Sequence, residues 1–222
     1  MKKVLRIALF TYSTKPRGGV IHTLELAQAL QDLGHYICIY ALEKDNVGFH
    51  RPLNCPSKLV PTKPVADRQL LLSRQENYSK GGIETKVLDP VDELIKQRIQ
   101  EFIDFLSQET EKYDIYHSQD CISSNALKVL RDQGKIPSFV RTAHHIDKFN
   151  SPYLQRCHDR SILEPDLCLC VSHHWRQQFQ QQYQIDAPVI FNGVDTTRFS
   201  REINGEEANL KQQRNYSGRK KS

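Results

Sequence analysis

The chain has 222 residues, enough for one generous α/β domain or for one domain and a tail. Its 38% hydrophobic and 26% charged residues are those of an ordinary globular protein, and no run approaches the roughly 18–20 apolar residues that a membrane span requires. The net charge of +5 is matched by the five Lys and Arg residues between Lys211 and Ser222, a stretch without an acid, so the rest of the chain lacks the basic face of a nucleic-acid-binding domain.

Met1-Lys2-Lys3 before an apolar run has the outline of a secretory signal. Arg6 interrupts that run, however, and no small-residue cleavage site follows Phe10, so the expected location is the cytoplasm. The basic tail would also suit a loose peripheral association with anionic lipid head groups. The six cysteines (Cys38, Cys55, Cys121, Cys157, Cys168, Cys170) lack the paired spacings of a zinc site and are expected to be small buried hydrophobes.

Val4 to Phe10 reads as a short, mostly apolar strand of the kind found inside parallel sheets. A polar loop, Thr11 to Arg17, leads into Gly18-Gly19. Val20, Ile21, Leu24, Ala27 and Leu30 then follow at helical spacing, with Gly34 as the stop. Tyr36 to Leu42 is a second strand, which completes a right-handed βαβ unit. Glu43 to Asp89 is the least readable stretch: four prolines break it, and Ser79-Lys80-Gly81-Gly82 reads as an exposed loop.

The pattern returns at Asp89, a capping residue ahead of Pro90 and of the acids Asp92 and Glu93, followed by an apolar helical face from Val91 to Leu106. Thereafter strands at Tyr113 to His117, Ser138 to Thr142, Asp166 to Val171 and Pro188 to Phe191 alternate with helices. These helices are placed at Ile122 to Gln133, Pro152 to Leu163, and from a Ser172 cap to about Tyr183. Such alternation predicts an α/β fold, a Rossmann-like doubly wound and mostly parallel sheet covered on both faces. The domain is expected to span residues 1–199. Residues 200–222, poor in apolar side chains, are expected to be a linker or a disordered basic tail.

In an open parallel sheet, ligands bind at the carboxyl ends of the strands. The polar clusters fall at those ends: Gly18-Gly19 and His22, Ser118-Gln119-Asp120, Thr142 to Asp147 with His144 and His145, Val171-Ser172, and Asn192-Gly193-Val194-Asp195. Two glycines ahead of a helix let the backbone approach a ligand, and the helix start offers free N–H groups to phosphate. A plain tight turn would use the same residues, and Asp120 could equally cap the next helix. The run is not Gly-x-Gly-x-x-Gly, so a nicotinamide enzyme lacks its fingerprint. Adjacent His144 and His145 point opposite ways on a strand, which disfavours a joint metal site, and His173-His174 reads as helix surface.

Together these landmarks resemble the N-terminal domain of family 4 glycosyltransferases, enzymes with the GT-B fold. The resemblance runs through Leu5 to Thr11, Gly18 to His22, Leu26-Ala27, Leu33-Gly34-His35, Asp114 to Asp120, Thr142-Ala143-His144, Val171-Ser172, Val189 to Asp195 and Arg198-Phe199. It implies retaining transfer of a hexose from a nucleotide diphosphate sugar, the substrate, with no cofactor and no metal. By motif, Gly18, Gly19 and His22 would form the loop at the donor phosphates and acceptor, with His144 as the catalytic residue on the transferred sugar. Gln119, Asp120, His145 and Asp147 would shape the pocket for a sugar or lipid-linked acceptor. Ser172, Asn192, Gly193 and Asp195 would face the interdomain cleft. The family's C-terminal donor domain has no counterpart in the sequence, which reads as a truncated or frame-shifted product, inactive alone. A separately encoded donor domain, or a role as a non-catalytic sugar-binding module, is the alternative.

Overall fold

The computed structural model of the chain describes residues 3–43, 47–64 and 89–196. Its elements are β1 (Arg6–Thr11), α1 (Gly18–Asp32), β2 (Tyr36–Glu43), β3 (Ser57–Pro61), α2 (Pro90–Ser107), β4 (Ile115–Ser118), α3 (Cys121–Asp132), β5 (Val140–Ala143), α4 (Pro152–Leu163), β6 (Leu167–Cys170) and α5 (His173–Tyr183). All six strands form one parallel sheet in the order β3-β2-β1-β4-β5-β6. This is the doubly wound architecture that the strand–helix alternation predicts.

Strand parity builds two cores. On one face Ala8, Phe10, Cys38 and Tyr40 pack with Phe102 of α2 and with Leu127 and Leu130 of α3. On the other, Ile7, Leu9, Ile37 and Ile39 meet Leu24 and Ala27 of α1. A third cluster, around β6, joins Ala143, Ile162, Cys168, Cys170 and Phe179. Each large side chain so buried contributes about 1.5–3 kcal/mol. The two cysteines of β6 share one face as their spacing requires, and all six thiols are free.

Helix boundaries follow local chemistry. Asp89, Asp120, Ser151 and Ser172 each accept a hydrogen bond from a first-turn backbone N–H, at the starts of α2, α3, α4 and α5. Gly34 and Gly134, at φ 87° and 71°, end α1 and α3 in the left-handed conformation. Among the described residues no helix is long and apolar enough to cross a membrane.

Two stretches differ from the sequence reading. Strand β3 lies inside the proline-broken segment, because Pro56 and Pro61 bracket the strand rather than interrupt it. Pro188 to Phe191 forms only an isolated bridge, Val189 against Cys170, since Pro188 has no N–H to extend a ladder. The expected loop at Ser79 to Gly82, the Arg198-Phe199 pair and the basic tail lie outside the described residues. The chain divides into two units, Met1–Phe191 and Asn192–Ser222.

Candidate functional site

Strands β1 and β4, which are not consecutive in the chain, lie side by side at the centre of the sheet, with β2 and β3 on one flank and β5 and β6 on the other. Their connections leave in opposite directions and open a crevice above their carboxyl ends. The loop after β1 leads into α1, whose first residues are Gly18 and Gly19. No side chain caps this helix, so its terminal N–H groups and positive dipole end face the rim without a protein partner from the N-cap residue Arg17.

The loops after β4 and β5 place Gln119 and His144 beside that helix start. A Cβ built on Gly19 would lie 4.0 Å from the Gln119 carbonyl oxygen and from Cδ2 and Nε2 of His144, whereas one on Gly18 meets nothing within 4 Å. The His22 ring, one turn into α1, lies edge-on to His144 with centroids 4.9 Å apart. Gly19, His22, Gln119 and His144 therefore form one cluster, assembled from three loops.

Beneath it runs a polar chain. His144 Nε2 lies 3.3 Å from Gln119 Oε1, Gln119 Nε2 lies 3.2 Å from His117 Nε2, and His117 Nε2 lies 2.8 Å from the Thr142 hydroxyl. Burial, followed by the positive charge of neighbouring His22 and Arg141, pushes both His144 and His117 down to about 3. Both imidazoles are thus neutral at ordinary pH, and each serves as a fixed hydrogen-bonding group rather than as a cation.

The other predicted residues are placed differently. Asp120 is buried, and its carboxylate accepts from the backbone N–H and the hydroxyl of Ser123, so it caps α3. On its side of the sheet, the buried Arg141 leaves Nε and Nη1 without a partner, and Asp120 is the strongest charge acting on it. His145 and Asp147 form an exposed pair at 3.0 Å, and the Asp147 N–H donates to His158. Ser172 caps α5. Asn192, Gly193 and Asp195 are exposed and belong to the second unit. His173 and His174 are exposed on the first turn of α5, as helix-surface residues. Among the described residues no group of His, Cys, Asp and Glu could hold a metal ion.

Sequence reasoning gave Arg141 and His117 no individual role and counted Thr142 only as the first residue of a rim cluster. Alternation carries the missing signal: three polar side chains occupy positions in β4 and β5 that a central parallel strand would fill with apolar ones. A further feature not foreseen is a groove of about 250 Å³ lined in part by the β1–α1 loop. Leu94 and Ile95 of α2 and Ile122 of α3 line it with apolar side chains, and Tyr12, Arg17 and Thr62 line it with polar ones.

The glycosyltransferase family 4 model matches residues 16–198. Among solved structures, the chain resembles a glycosyltransferase from Rickettsia africae, at TM-score 0.54 and 17% identity, covering 97% of this chain and 50% of that one. It also resembles the catalytic domain of starch synthase IV from Arabidopsis thaliana bound to ADP and acarbose. There the TM-score is 0.59 and the identity 14%, with 88% of this chain and 53% of that chain covered. A third likeness is to Anabaena HepE in complex with UDP-glucose, at TM-score 0.52 and 14% identity, covering 93% of this chain and 50% of that one. The chain thus spans about half the length of each. No protein of curated function matches the sequence.

Proposed function

Because the chain belongs to glycosyltransferase family 4, we propose that it is the acceptor-side half of an enzyme that moves a hexose from a nucleoside diphosphate sugar to a hydroxylated acceptor, with retention at the anomeric carbon. The observation that carries this reading is the uncapped start of α1 beside the neutral His144, about one methyl group away at Gly19. Glycosyl transfer of this kind builds positive charge on the sugar ring and negative charge on the leaving diphosphate. What it needs from the protein is fixed dipoles at both places. The free N–H groups of α1 supply one toward phosphate. A neutral imidazole beside them hydrogen-bonds the sugar without placing a second cation near the developing oxocarbenium charge. The substrate is a nucleoside diphosphate sugar, and the proposal calls for no resident cofactor.

The groove between the β1–α1 loop and α2 is where the acceptor would lie, with its polar end toward Arg17 and Tyr12 and an apolar portion along Leu94, Ile95 and Ile122. The other half of the cleft, which would grip the nucleotide, would be formed by a donor domain. The test measures release of nucleoside diphosphate from labelled sugar nucleotides by this chain alone and by the chain joined to the C-terminal domain of a family 4 enzyme. Turnover is expected only in the joined form, with the anomeric configuration of the donor kept in the product. Turnover by the chain alone would overturn the division of labour, and an inverted product would overturn retention. Acceptor binding without turnover in the joined form would point to a sugar-binding module instead.

A further inference from the structure

Gln119 sits between two histidines, and each contact uses a different end of its amide. The residue is almost wholly buried, and its backbone N–H donates to the Phe10 carbonyl at the end of β1, which anchors it beneath the rim. Its Oε1 faces His144 Nε2 at 3.3 Å and its Nε2 faces His117 Nε2 at 3.2 Å. An amide oxygen only accepts and an amide nitrogen only donates. In a neutral imidazole, likewise, one nitrogen carries the proton and the other a lone pair. The two ring nitrogens that meet the amide must therefore be in opposite states: the one facing oxygen is protonated and the one facing nitrogen is not.

We infer that Gln119 is a positioning residue that locks the two histidines into opposite tautomers, His144 protonated on Nε2 and His117 protonated on Nδ1. The Thr142 hydroxyl, 2.8 Å from the same His117 nitrogen, donates to that lone pair and reinforces the arrangement. The consequence at the rim concerns the other edge of His144. Its Cδ2–Nε2 edge is turned toward Gly19 and Gln119, so Nδ1 lies on the opposite edge of the ring, and in this tautomer Nδ1 carries a lone pair. His144 then accepts a hydrogen bond from its ligand, which selects for a hydroxyl donor and against a carbonyl or phosphate oxygen at that position. Only this last step rests on the glycosyltransferase reading. The tautomer lock itself stands or falls separately.

Long-range proton–nitrogen correlation spectra of the uniformly nitrogen-15-labelled chain, with each histidine assigned by replacement of the other, read the tautomers directly. The wild-type chain is expected to show a pyrrole-type Nε2 on His144 and a pyridine-type Nε2 on His117. Gln119→Glu presents acceptors to both rings, so His117 is expected to switch to a pyrrole-type Nε2 while His144 keeps its own. Gln119→Leu, of similar size and without polar atoms, should leave His144 averaging between tautomers. Two rings in the same state in the wild-type spectrum would overturn the inference. So would a His144 signal unchanged by Gln119→Leu in a chain whose backbone spectrum is otherwise intact. The wild-type measurement needs no change at Gln119, so a failure of either Gln119 variant to fold leaves the test standing, and neither outcome depends on sugar transfer.

Discussion

At the scale of single residues, Gly19 separates the needs of folding from those of a ligand. It is the second residue of α1 and is not among the glycines with positive φ, so its backbone is open to any L-residue. A methyl group there would meet the Gln119 carbonyl and the His144 ring at 4.0 Å, an ordinary contact. Replacing glycine by alanine at such a position reduces the freedom of the unfolded chain and stabilises by about 0.4–1 kcal/mol. Urea denaturation of Gly19→Ala should show that gain. Gly19→Val, whose added methyls must press on the His144 ring, should fall below it by about 1–3 kcal/mol. A glycine that costs stability and relieves no clash has no folding rationale, and the remaining reason for it is a group that must come closer to the helix start than a methyl allows. Loss of stability in Gly19→Ala would remove that argument.

At the scale of elements, what could be read from the sequence depended on whether an element announces its own ends. Helix α2 was legible because Asp89, Pro90 and the acids behind them mark its start unambiguously. Strand β3 was not: its five residues include a single fully buried side chain, Val60, and its prolines argue against a strand unless they sit at its two ends. The rim was legible as a set of loop clusters, yet the cluster that forms, Gly19 with His22, Gln119 and His144, depends on which loops adjoin. Only the strand order sets that. Asp120 shows the limit most clearly, since capping and ligand contact call for the same residue in the same place, and only the hydrogen bonds to Ser123 show which one engages its carboxylate. Removing that carboxylate has two separable effects. Asp120→Ala loses the cap, about 1 kcal/mol, and also removes the group whose charge acts most strongly on the buried Arg141, which should add to the loss. Asp120→Asn keeps a capping side chain and should show the charge effect alone. Adding Arg141→Met to Asp120→Asn should recover much of that loss in urea denaturation. Additive losses in the double variant would mean that the two side chains do not sense each other.

At the scale of the whole molecule, a polar network joins strands that are distant in sequence, on the face of the sheet covered by α2 and α3. The buried Tyr40 of β2 donates to Glu109 at 2.8 Å and lies 2.9 Å from the Tyr113 hydroxyl, while Lys58 of β3 bridges Glu109 and Glu111 at 2.6 and 2.8 Å. Arg6 of β1 reaches Glu111 at 2.9 Å, so three neighbouring strands converge on the two acids that precede β4. Nothing in the sequence points to this network, because its members are separated by up to about a hundred positions. Burial alone would raise the Glu109 carboxyl. The hydrogen bonds from Lys58, the Glu111 backbone and Tyr40 outweigh it and hold the group down at about 2, against 4.5 for a free glutamate. A carboxylate with a depressed folded-state value stabilises the fold above its unfolded value and loses that contribution as it protonates. Glu109 should therefore contribute about 3 kcal/mol above pH 4.5, declining progressively as the pH falls toward 2. Unfolding free energies of the wild-type chain and of Glu109→Gln, followed from pH 7 downward, should differ most at neutral pH and converge only as the pH falls through about 2. Curves that stay parallel throughout would show that the network holds its geometry without the charge on Glu109, and that the three strands are joined there by packing alone.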